Sequence, residues 1–289
     1  MTDWYDEALY TRWYDKGYAQ RFRIDRILFE DKSEHQEVIV FENAMYGRVL
    51  AIDGIIQTTE RDEFAYHDMM VHVPIFAHGN ARKVLIIGGG DGGIMREVLR
   101  HPNVEFCHMV DIDDMVVEIS KKYLPTLSDG VFENPKGHVV IDDGCKFVKQ
   151  TTEKYDVVIV DSTDPIGPGA VLFTEEFYND CRNCMTPGGI IATQSGVPFA
   201  QPDEFPTTRD RLGRIFKDAS VYLASVPTYA CGFMALGWGT DDAKHRDVPL
   251  ATLEERFKKA GFKPKYYTPA IHKAAFALPG WMNDALAKT

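Results

Sequence analysis

Several aspartates follow short apolar runs of the chain, at positions where their side chains could bind a positively charged ligand. The runs are typical of buried parallel strands, and the acids that follow the first four of them are Asp91, Asp111, Asp113, Asp142, Asp143, Asp161 and Asp164. The carboxyl ends of parallel strands lie along one edge of a sheet, and ligands bind outside that edge. Crowded carboxylates raise one another's pKa unless a cation lies between them. The pattern therefore predicts an acid-lined crevice for an ammonium, a sulfonium or a divalent metal.

The first of these acids lies inside a glycine-rich turn, in the segment KVLIIGGGDGG at residues 83–93. Gly88, Gly90 and Gly93 fit the G-x-G-x-x-G nucleotide motif. A pyrophosphate on a helix N-terminus needs unopposed N–H donors, and the carboxylate of Asp91 would repel it. The turn thus favours a ligand with cationic character and argues against a nicotinamide dehydrogenase. From this stretch alone, a role for Asp91 as the cap of the next helix is equally compatible.

The order of the acids suggests how a nucleoside with a cationic 5′ substituent would bind. Asp111 ends the second strand roughly 20 residues after the glycine turn, where an acid suits ribose hydroxyls. Asp143, after the third strand, can accept a hydrogen bond from the exocyclic amine of adenine. Asp91 and Asp161 remain beside the 5′ substituent and, with Asp164, make a strongly negative pocket. Mg²⁺ usually accompanies phosphate, and this turn offers no phosphate cradle, so we expect no metal.

An alternation of strands and helices positions these acids. Strands are predicted at residues 84–87, 105–110, 138–141, 156–160, 190–193, 221–224 and 233–239, and helices at 94–100, 115–123, 174–184 and 203–216. This alternation predicts an α/β fold, a Rossmann-like, methyltransferase-type doubly wound sheet with helices on both faces. The last two strands are expected to form an antiparallel hairpin at its edge. The segment DPIGPG at 164–169 follows the fourth strand, which favours a lid over an inert linker.

A smaller antiparallel β domain is predicted before this sheet. Residues 21–59 have a strand-like pattern, and Asp53-Gly54 is a strong two-residue hairpin signal. We expect an N-terminal domain with a linking helix at residues 1–79 and a Rossmann-like catalytic domain at 80–289. Residues 1–18 are predicted to form a short helix or an arm that packs on another surface.

The linking helix is predicted over residues 60–76. Thr59 and Asp62 have the spacing of a capping box that would open it. Pro74 would kink or end the helix, because proline lacks a backbone N–H and its ring clashes with the preceding turn.

Four polar residues lie in these elements. Considered by sequence pattern alone, they are more typical of packed or solvent-exposed positions than of catalytic ones. Tyr66 and His67 lie in the middle of the linking helix, where a histidine is more often a satisfied core residue. Gln36 and Gln57 suit solvent-facing strand positions.

Composition limits the classes of partner. The chain of 289 residues carries a formal net charge of −11, which disfavours nucleic acid, since that needs basic patches. Its apolar runs are far shorter than the ~20 residues that span a bilayer, and its acidic, aromatic beginning does not resemble a signal peptide. The five cysteines do not suggest a disulfide framework, and the Cys181/Cys184 pair indicates ordinary packing. We expect a cytoplasmic protein.

Six long motifs resemble those of the spermidine synthases, a family of aminopropyltransferases. They are HQEVIVFEN, LAIDGIIQTTERDEFAYHDMM, VLIIGGGDGG, VDIDDMVVE, DDG and DSTDPIGPG, and YYTPAIHKAAFALP near the end is similar to the bacterial branch. The resemblance covers nearly the whole chain in the expected order. It implies transfer of an aminopropyl group from decarboxylated S-adenosylmethionine to putrescine, which yields spermidine and methylthioadenosine. It also implies that no separate cofactor is used, and that the chain forms a homodimer or homotetramer.

The resemblance implies a role for each matching acid. The residues similar to the family's nucleoside contacts are Gln36, Asp111, Asp143, Gly144 and Pro168. Asp111 stands where many relatives have glutamate, which is one methylene longer. Asp91 is similar to the acid that holds the donor's ammonium, Asp161 to the general base, and Asp164 to the anchor of the diamine.

The same resemblance reverses the interpretation of the polar residues in the linking helix. Tyr66 and His67 would line the polyamine channel, with Tyr66 orienting the attacking nitrogen, and His67 stands where some relatives have glutamine. Gln57, Gln194 and Tyr229 are similar to further residues that bind the substrate.

Two other functions stay open at this point: a diamine N-methyltransferase with the same fold, and a polyamine-binding protein without catalysis. Asp91 separates the first from an aminopropyltransferase. Ordinary S-adenosylmethionine carries a carboxylate that the decarboxylated donor lacks, and it would repel Asp91 in a low-dielectric pocket. The acceptor is also open, because cadaverine, agmatine or a longer polyamine would need similar charges at another spacing.

Overall fold

The chain forms a large mixed sheet flanked by helices, preceded by a small antiparallel sheet. The computed structural model describes residues 3–7, 19–165 and 167–288. The strands are β1 (Trp4–Asp6), β2 (Arg21–Arg23), β3 (Arg26–Lys32), β4 (Glu37–Asn43), β5 (Gly47–Ile52), β6 (Ile55–Thr59), β7 (Lys83–Gly88), β8 (Phe106–Asp111), β9 (Gly137–Ile141), β10 (Tyr155–Asp161), β11 (Met185–Gln194), β12 (Asp218–Ser225) and β13 (Phe233–Thr240).

The helices cover both faces of the large sheet. They are α1 (Glu63–His78), α2 (Gly93–Leu99), α3 (Asp114–Tyr123), α4 (Pro125–Ser128), α5 (Gly144–Gln150), α6 (Glu175–Asn183), α7 (Glu204–Ile215), α8 (Leu250–Ala260), α9 (Pro269–Ala275) and α10 (Gly280–Leu286), with short 3-10 helices at Val131–Glu133, Gly167–Phe173 and Ala243–His245. No helix of the described ranges is both long and apolar enough to cross a membrane.

The large sheet has the strand order β12-β13-β11-β10-β7-β8-β9. The five strands from β9 to β11 are parallel, while β13 runs antiparallel to both β11 and β12. This order confirms the methyltransferase-type doubly wound sheet and its antiparallel terminal hairpin. Strands buried on both faces have continuous apolar sequences, which is why the predicted strands match the observed ones closely.

The small sheet has the order β3-β4-β5-β6. Asp53 and Gly54 connect β5 to β6 with φ values of 49° and 85°. Positive φ at both central residues is the conformation of a type I′ hairpin turn, so the predicted hairpin is confirmed. Of the predicted N-terminal helix or arm, residues 4–6 instead form β1, which pairs antiparallel with β2; residues 8–18 lie outside the described part.

Helix α1 corrects two predictions. Thr59 does not cap it: its hydroxyl donates to the Asp62 carboxylate at 2.5 Å, and the helix begins only at Glu63. Pro74 does not end it either, since the helix continues to His78. Nearly every residue of α1 is buried, against α2 on one side and β10 and β11 on the other. This packing outweighs the backbone hydrogen bond that Pro74 cannot make. The division of the chain at residue 79 stays a prediction.

Candidate active site

A cavity of about 410 Å³ opens at the carboxyl ends of the parallel strands β7, β8 and β10, and residues of β5 and β6 close it from the other side. Of the seven acids predicted to line it, five do so: Asp91, Asp111, Asp143, Asp161 and Asp164. Apolar side chains share the lining, among them Ile52, Ile87, Val110, Val116 and Leu172. A cavity with an apolar wall and a few convergent polar groups is typical of a small-molecule site.

The other two acids of the predicted row have structural partners and lie outside the cavity lining. Asp113 is buried, where its carboxylate caps α3 and accepts from Ser33 Oγ at 2.6 Å and Gln36 Nε2 at 2.9 Å. Asp142 pairs with Lys146 at 3.0 Å, one helical turn further along the chain. The prediction was therefore wrong for these two acids. Gln36, expected on a solvent-facing strand from pattern alone, binds Asp113 and lines the cavity.

The glycine turn brings the backbone close to two acids, Asp161 and Asp111. A Cβ at position 88 would lie 2.0 Å from the carbonyl oxygen of Asp161, and a Cβ at Gly90 would lie 2.8 Å from Asp111 Oδ2. Gly88 also has a φ of 82°, which favours glycine. The turn thus holds the ends of β7, β8 and β10 in close contact.

The Asp91 carboxylate contacts both the start of α2 and the ring of His67. One carboxylate oxygen accepts from the backbone N–H of Gly93 at 2.7 Å, as a helix cap would. The other lies 3.4 Å from His67 Nε2. Burial alone would raise the pKa of Asp91, but the charge and hydrogen bond of His67, the Gly93 N–H and the Arg96 charge together outweigh burial and hold the pKa below its usual range. Asp91 is therefore an ionised, buried carboxylate on the cavity wall.

His67 is held between two carboxylates. Its Nδ1 lies 2.6 Å from Glu63 Oε2, and its Nε2 faces Asp91. Burial lowers the pKa of His67, but Asp91 and Glu63 together raise it to about 10. The ring is thus an imidazolium at neutral pH, a charge state that the sequence left open.

Asp161 lies at the end of β10 with a different set of neighbours. The Tyr66 hydroxyl donates to its Oδ1 at 2.7 Å. Burial, together with the negative charge of Asp91, raises the pKa of Asp161 to about 6. A carboxylate with a raised pKa is a better proton acceptor than an ordinary aspartate.

Asp164 lines the same cavity, together with Gln194 and Gln201. Gln194 Nε2 donates to its Oδ1 at 3.3 Å. Burial raises the pKa of Asp164, while Gln201 and Gln194 act in the opposite direction. A second acid, Glu7, lines this cavity too and was not predicted; it accepts from Ile56 N at 3.1 Å and from Gln20.

Two further predicted residues connect the small sheet to the large one. The Tyr229 hydroxyl donates to the backbone carbonyl of Gln57 at 2.7 Å, and the rings of Tyr229 and Tyr66 meet edge to face with centroids 6.0 Å apart. Both Gln57 and Tyr229 line the cavity. They therefore fix the loop between β12 and β13 against β6.

Asp111 and Asp143, which were predicted to contact a nucleoside, line the cavity near the ends of β8 and β9. Asp111 accepts from the backbone N–H of Asp113 at 2.9 Å, and burial raises its pKa to about 6. Asp143 is exposed at the rim and caps α5 by accepting from Cys145 N at 2.7 Å. Gly144 is buried beside it, and a Cβ there would lie 2.5 Å from Ile87 Cγ2.

The predicted lid segment borders the cavity. Gly169, Val171 and Leu172 line it from the 3-10 helix at Gly167–Phe173. Pro168 lies in that helix, but its side chain falls outside the described part, as does Ile166. The position fits a lid; its movement stays a prediction.

Fold and cavity together define a Rossmann-like transferase whose site suits a nucleoside joined to a cation. Two family models match the chain: the spermine/spermidine synthase domain over residues 63–248 and the spermidine synthase tetramerisation domain over residues 8–60. The chain belongs to the spermine/spermidine synthase family and is an aminopropyltransferase.

Individual relatives agree with this assignment. The chain is 55% identical over 266 residues to a polyamine aminopropyltransferase of Ruegeria sp., covering 92% of this chain and 94% of that one. It is 52% identical over 288 residues to polyamine aminopropyltransferase 1 of Pseudomonas aeruginosa, covering 100% and 99%.

Solved structures show the same likeness. A spermidine synthase crystallised with the transition state analogue AdoDATO superposes with a TM-score of 0.92 at 37% identity, covering 99% of this chain and 96% of that one. The spermidine synthase of Thermotoga maritima gives a TM-score of 0.89 at 35% identity, covering 99% and 95%.

Proposed function

We propose that this aminopropyltransferase is a spermidine synthase, which transfers the aminopropyl group of decarboxylated S-adenosylmethionine to putrescine. The products would be spermidine and 5′-methylthioadenosine. The observation that carries the proposal is that Asp91, Asp161 and Asp164 line one cavity together with an apolar wall that suits a nucleoside. A donor with a sulfonium and an ammonium and an acceptor with two ammonium groups match that charge pattern.

The donor's nucleoside is assigned to the side formed by β8 and α5. Asp111 would accept from the ribose hydroxyls, and Asp143 at the rim would accept from the adenine amine. Gln36, Gly144 and Pro168 would complete this subsite. The ammonium of the aminopropyl chain would bind Asp91, which stays ionised because of His67.

The acceptor diamine is assigned to the side formed by α1, β10 and the loop between β12 and β13. Asp164 would bind the remote ammonium, with Gln194, Gln57 and Tyr229 around the chain. His67 and Tyr66 would form the wall between the diamine and the glycine turn. Tyr66 would also orient the attacking nitrogen.

The chemical step needs a neutral amine, because an alkylammonium has a pKa near that of lysine, about 10.4. Asp161 would accept the proton of the attacking nitrogen. The nitrogen then forms a bond to the aminopropyl carbon beside the sulfonium while the C–S bond breaks. The electron pair of the C–S bond passes to sulfur, which leaves as the neutral thioether of methylthioadenosine. In-line positioning of nitrogen and carbon supplies much of the acceleration.

No cofactor enters this scheme, since decarboxylated S-adenosylmethionine is consumed as a co-substrate. The family match to a tetramerisation domain supports a homodimer or homotetramer, which light scattering at several protein concentrations would test. A cytoplasmic location is also part of the proposal. All five cysteines are free, as is usual in a reducing compartment.

The decisive assay incubates the protein with decarboxylated S-adenosylmethionine and putrescine and follows both products. Formation of spermidine and methylthioadenosine in equal amounts supports the proposal. A methylated diamine formed from ordinary S-adenosylmethionine would instead indicate an N-methyltransferase, and binding without turnover would indicate a polyamine-binding protein.

Two side measurements sharpen the assignment. Calorimetry with both donors should give tighter binding of the decarboxylated one, because the carboxylate of the ordinary donor would meet Asp91; the opposite order contradicts the proposal. A panel of putrescine, cadaverine, agmatine and spermidine as acceptors should give the highest kcat/KM for putrescine.

A further inference from the structure

Three buried charged groups form a line from the interior of α1 to the cavity wall. Glu63 and His67 are one helical turn apart on α1, so their side chains share a face, and Glu63 Oε2 lies 2.6 Å from His67 Nδ1. On the opposite side of the ring, Nε2 lies 3.4 Å from Asp91 Oδ2. The side chains of Glu63 and His67 are only 5% and 3% exposed.

Glu63 is itself fixed from a second element. Arg96 of α2 donates to Glu63 Oε2 at 2.8 Å, and its other nitrogens bind Glu97 at 2.8 Å and the Leu127 carbonyl at 2.5 Å. A buried carboxylate with such partners has little freedom to move away from the imidazole. Removing one member of a buried charge pair leaves the other uncompensated, which is strongly destabilising.

The imidazole of His67 also fits only because position 93 is a glycine. A Cβ at position 93 would lie 2.1 Å from His67 Cε1 and 2.3 Å from Nδ1. The imidazole therefore lies directly on the backbone of Gly93, at the start of α2. Packing on one side and two carboxylates at its nitrogens determine the orientation of the ring.

The protonation state follows from the partners. A neutral imidazole has one N–H and one acceptor nitrogen, whereas the imidazolium donates from both. Both ring nitrogens of His67 face carboxylate oxygens. The charged groups around His67 are Glu63 on its own helix, Asp91 in the glycine turn, Arg96 behind Glu63 and Asp161 on β10.

We propose that Glu63 is a positioning residue for this reaction: its carboxylate orients His67 as an imidazolium, whose Nε2–H in turn holds Asp91 in place. The inference rests on the proposed function, in which Asp91 binds the ammonium of the donor. Glu63 acts through His67 and Asp91 and does not itself line the cavity, as far as the described residues show.

The Glu63→Gln variant separates charge from shape. A glutamine oxygen can still accept from Nδ1–H, but loss of the Glu63 charge lowers the pKa of His67 from about 10, while Asp91 alone continues to raise it. Above this lowered pKa the neutral ring turns an acceptor nitrogen toward Asp91, and a favourable contact becomes repulsive. Below it the ring is protonated in the variant as it is in the wild type.

The expected result is therefore a loss that depends on pH. We expect kcat/KM for the donor to fall about tenfold at pH 9, the size of one lost charged hydrogen bond, and less than about twofold at pH 6. The ratio of variant to wild type at each pH removes the pH dependence of the wild type itself. A ratio that is the same from pH 6 to pH 9 would overturn the proposal.

Glu97→Gln is the matched control. Glu97 is equally buried and shares Arg96 with Glu63, but its carboxylate binds His72 and Arg100 rather than His67. It should lower stability while leaving the ratio independent of pH. If the ratio of kcat/KM in Glu97→Gln to that in the wild type changes with pH as it does for Glu63→Gln, the effect belongs to Arg96. That result would overturn the proposal.

A measurement that needs no activity keeps the inference independent of the proposed function. In the wild-type protein labelled with ¹⁵N-histidine, both ring nitrogens of His67 should show imidazolium shifts at pH 8, with His67→Gln giving the assignment. A neutral ring at pH 8 would overturn the proposal, even if Glu63→Gln fails to fold. If imidazolium shifts are found but no aminopropyl transfer occurs, the proposed function fails and the His67–Glu63 pairing stands.

Discussion

Asp91 and Asp161 are the same residue type in the same cavity, yet their surroundings have opposite effects. Asp91 lies beside an imidazolium and accepts a backbone N–H, and its pKa is lowered. Asp161 has a phenol as its partner and Asp91 as a negative neighbour, and its pKa is raised to about 6. Titratable pairs whose pKa values are driven apart mark a division of labour in catalysis. Here one aspartate can stay a fixed anion while the other can take up a proton.

The largest expected effect is the loss of kcat when the proton acceptor, Asp161, is removed. Asp161→Asn removes the base while preserving shape, so kcat should fall by roughly 10²–10⁴-fold, the usual contribution of general acid–base catalysis. Binding of decarboxylated S-adenosylmethionine, measured by calorimetry, should change little. Turnover close to that of the wild type would remove Asp161 from this role.

Removal of the fixed anion, Asp91, should affect binding of the donor rather than kcat. Asp91→Asn removes the partner of the donor's ammonium, and a hydrogen bond to a charged group contributes about 1.5–3 kcal/mol. We expect the KM for the donor to rise by about 10–10²-fold while the KM for putrescine changes much less. Steady-state kinetics with each substrate varied in turn will check this, and equal changes in both KM values would contradict the division between the two acids.

A smaller change tests the hydrogen bond of Tyr66. Activity of the wild type should rise with pH through about 6, as Asp161 ionises, and reach an alkaline optimum because the amine must be neutral. Tyr66→Phe removes a donor that favours ionised Asp161, so the acidic limb should move up by about one pH unit. Activity at pH 9 should stay within about tenfold of the wild type. An unmoved acidic limb in kcat/KM profiles would mean that this hydrogen bond does not tune Asp161.

The smallest effects concern stability, and their signs should differ. The folded-state pKa of Asp161 is raised, so its ionisation above pH 6 opposes folding, and Asp161→Asn should stabilise the protein at pH 8 by about 1 kcal/mol. The folded-state pKa of Asp91 is lowered, so its contribution is present above about pH 4 and is lost on acidification below that. Asp91→Asn should therefore destabilise the protein at pH 8 by about 2 kcal/mol. Urea titrations of both variants at pH 8 compare them, and shifts of the same sign would refute the contrast.

Much of the fold follows from the sequence because buried parallel strands need continuous apolar runs between helices. The same logic placed five acids on the cavity wall. It failed for Asp113 and Asp142, because their partners come from elsewhere: Ser33 and Gln36 for the first, Lys146 for the second. The direction of the side chain of an acid at a strand end depends on those partners. The spacing of residues in the sequence does not reveal which partners they are.

The charge of His67 could not be predicted from its position alone. It depends on Asp91, which is distant along the chain, and on Glu63, which in sequence is an ordinary acid in the first turn of a helix. The i, i+4 spacing of Glu63 and His67 was the available signal. Glu7 offered none, since only the tertiary structure brings this residue, which directly follows β1, to the cavity.

The contact between the last glycine of the turn and the His67 ring changes how its motif should be interpreted. In dinucleotide-binding folds that glycine allows close packing of helix and strand, whereas at position 93 it admits a cationic ring. Fitting the G-x-G-x-x-G spacing therefore does not specify the sign of the ligand's charge. Asp91, between Gly90 and Gly92, carries that information. A phosphate site here would therefore require redesign of position 91 together with the facing helix α1.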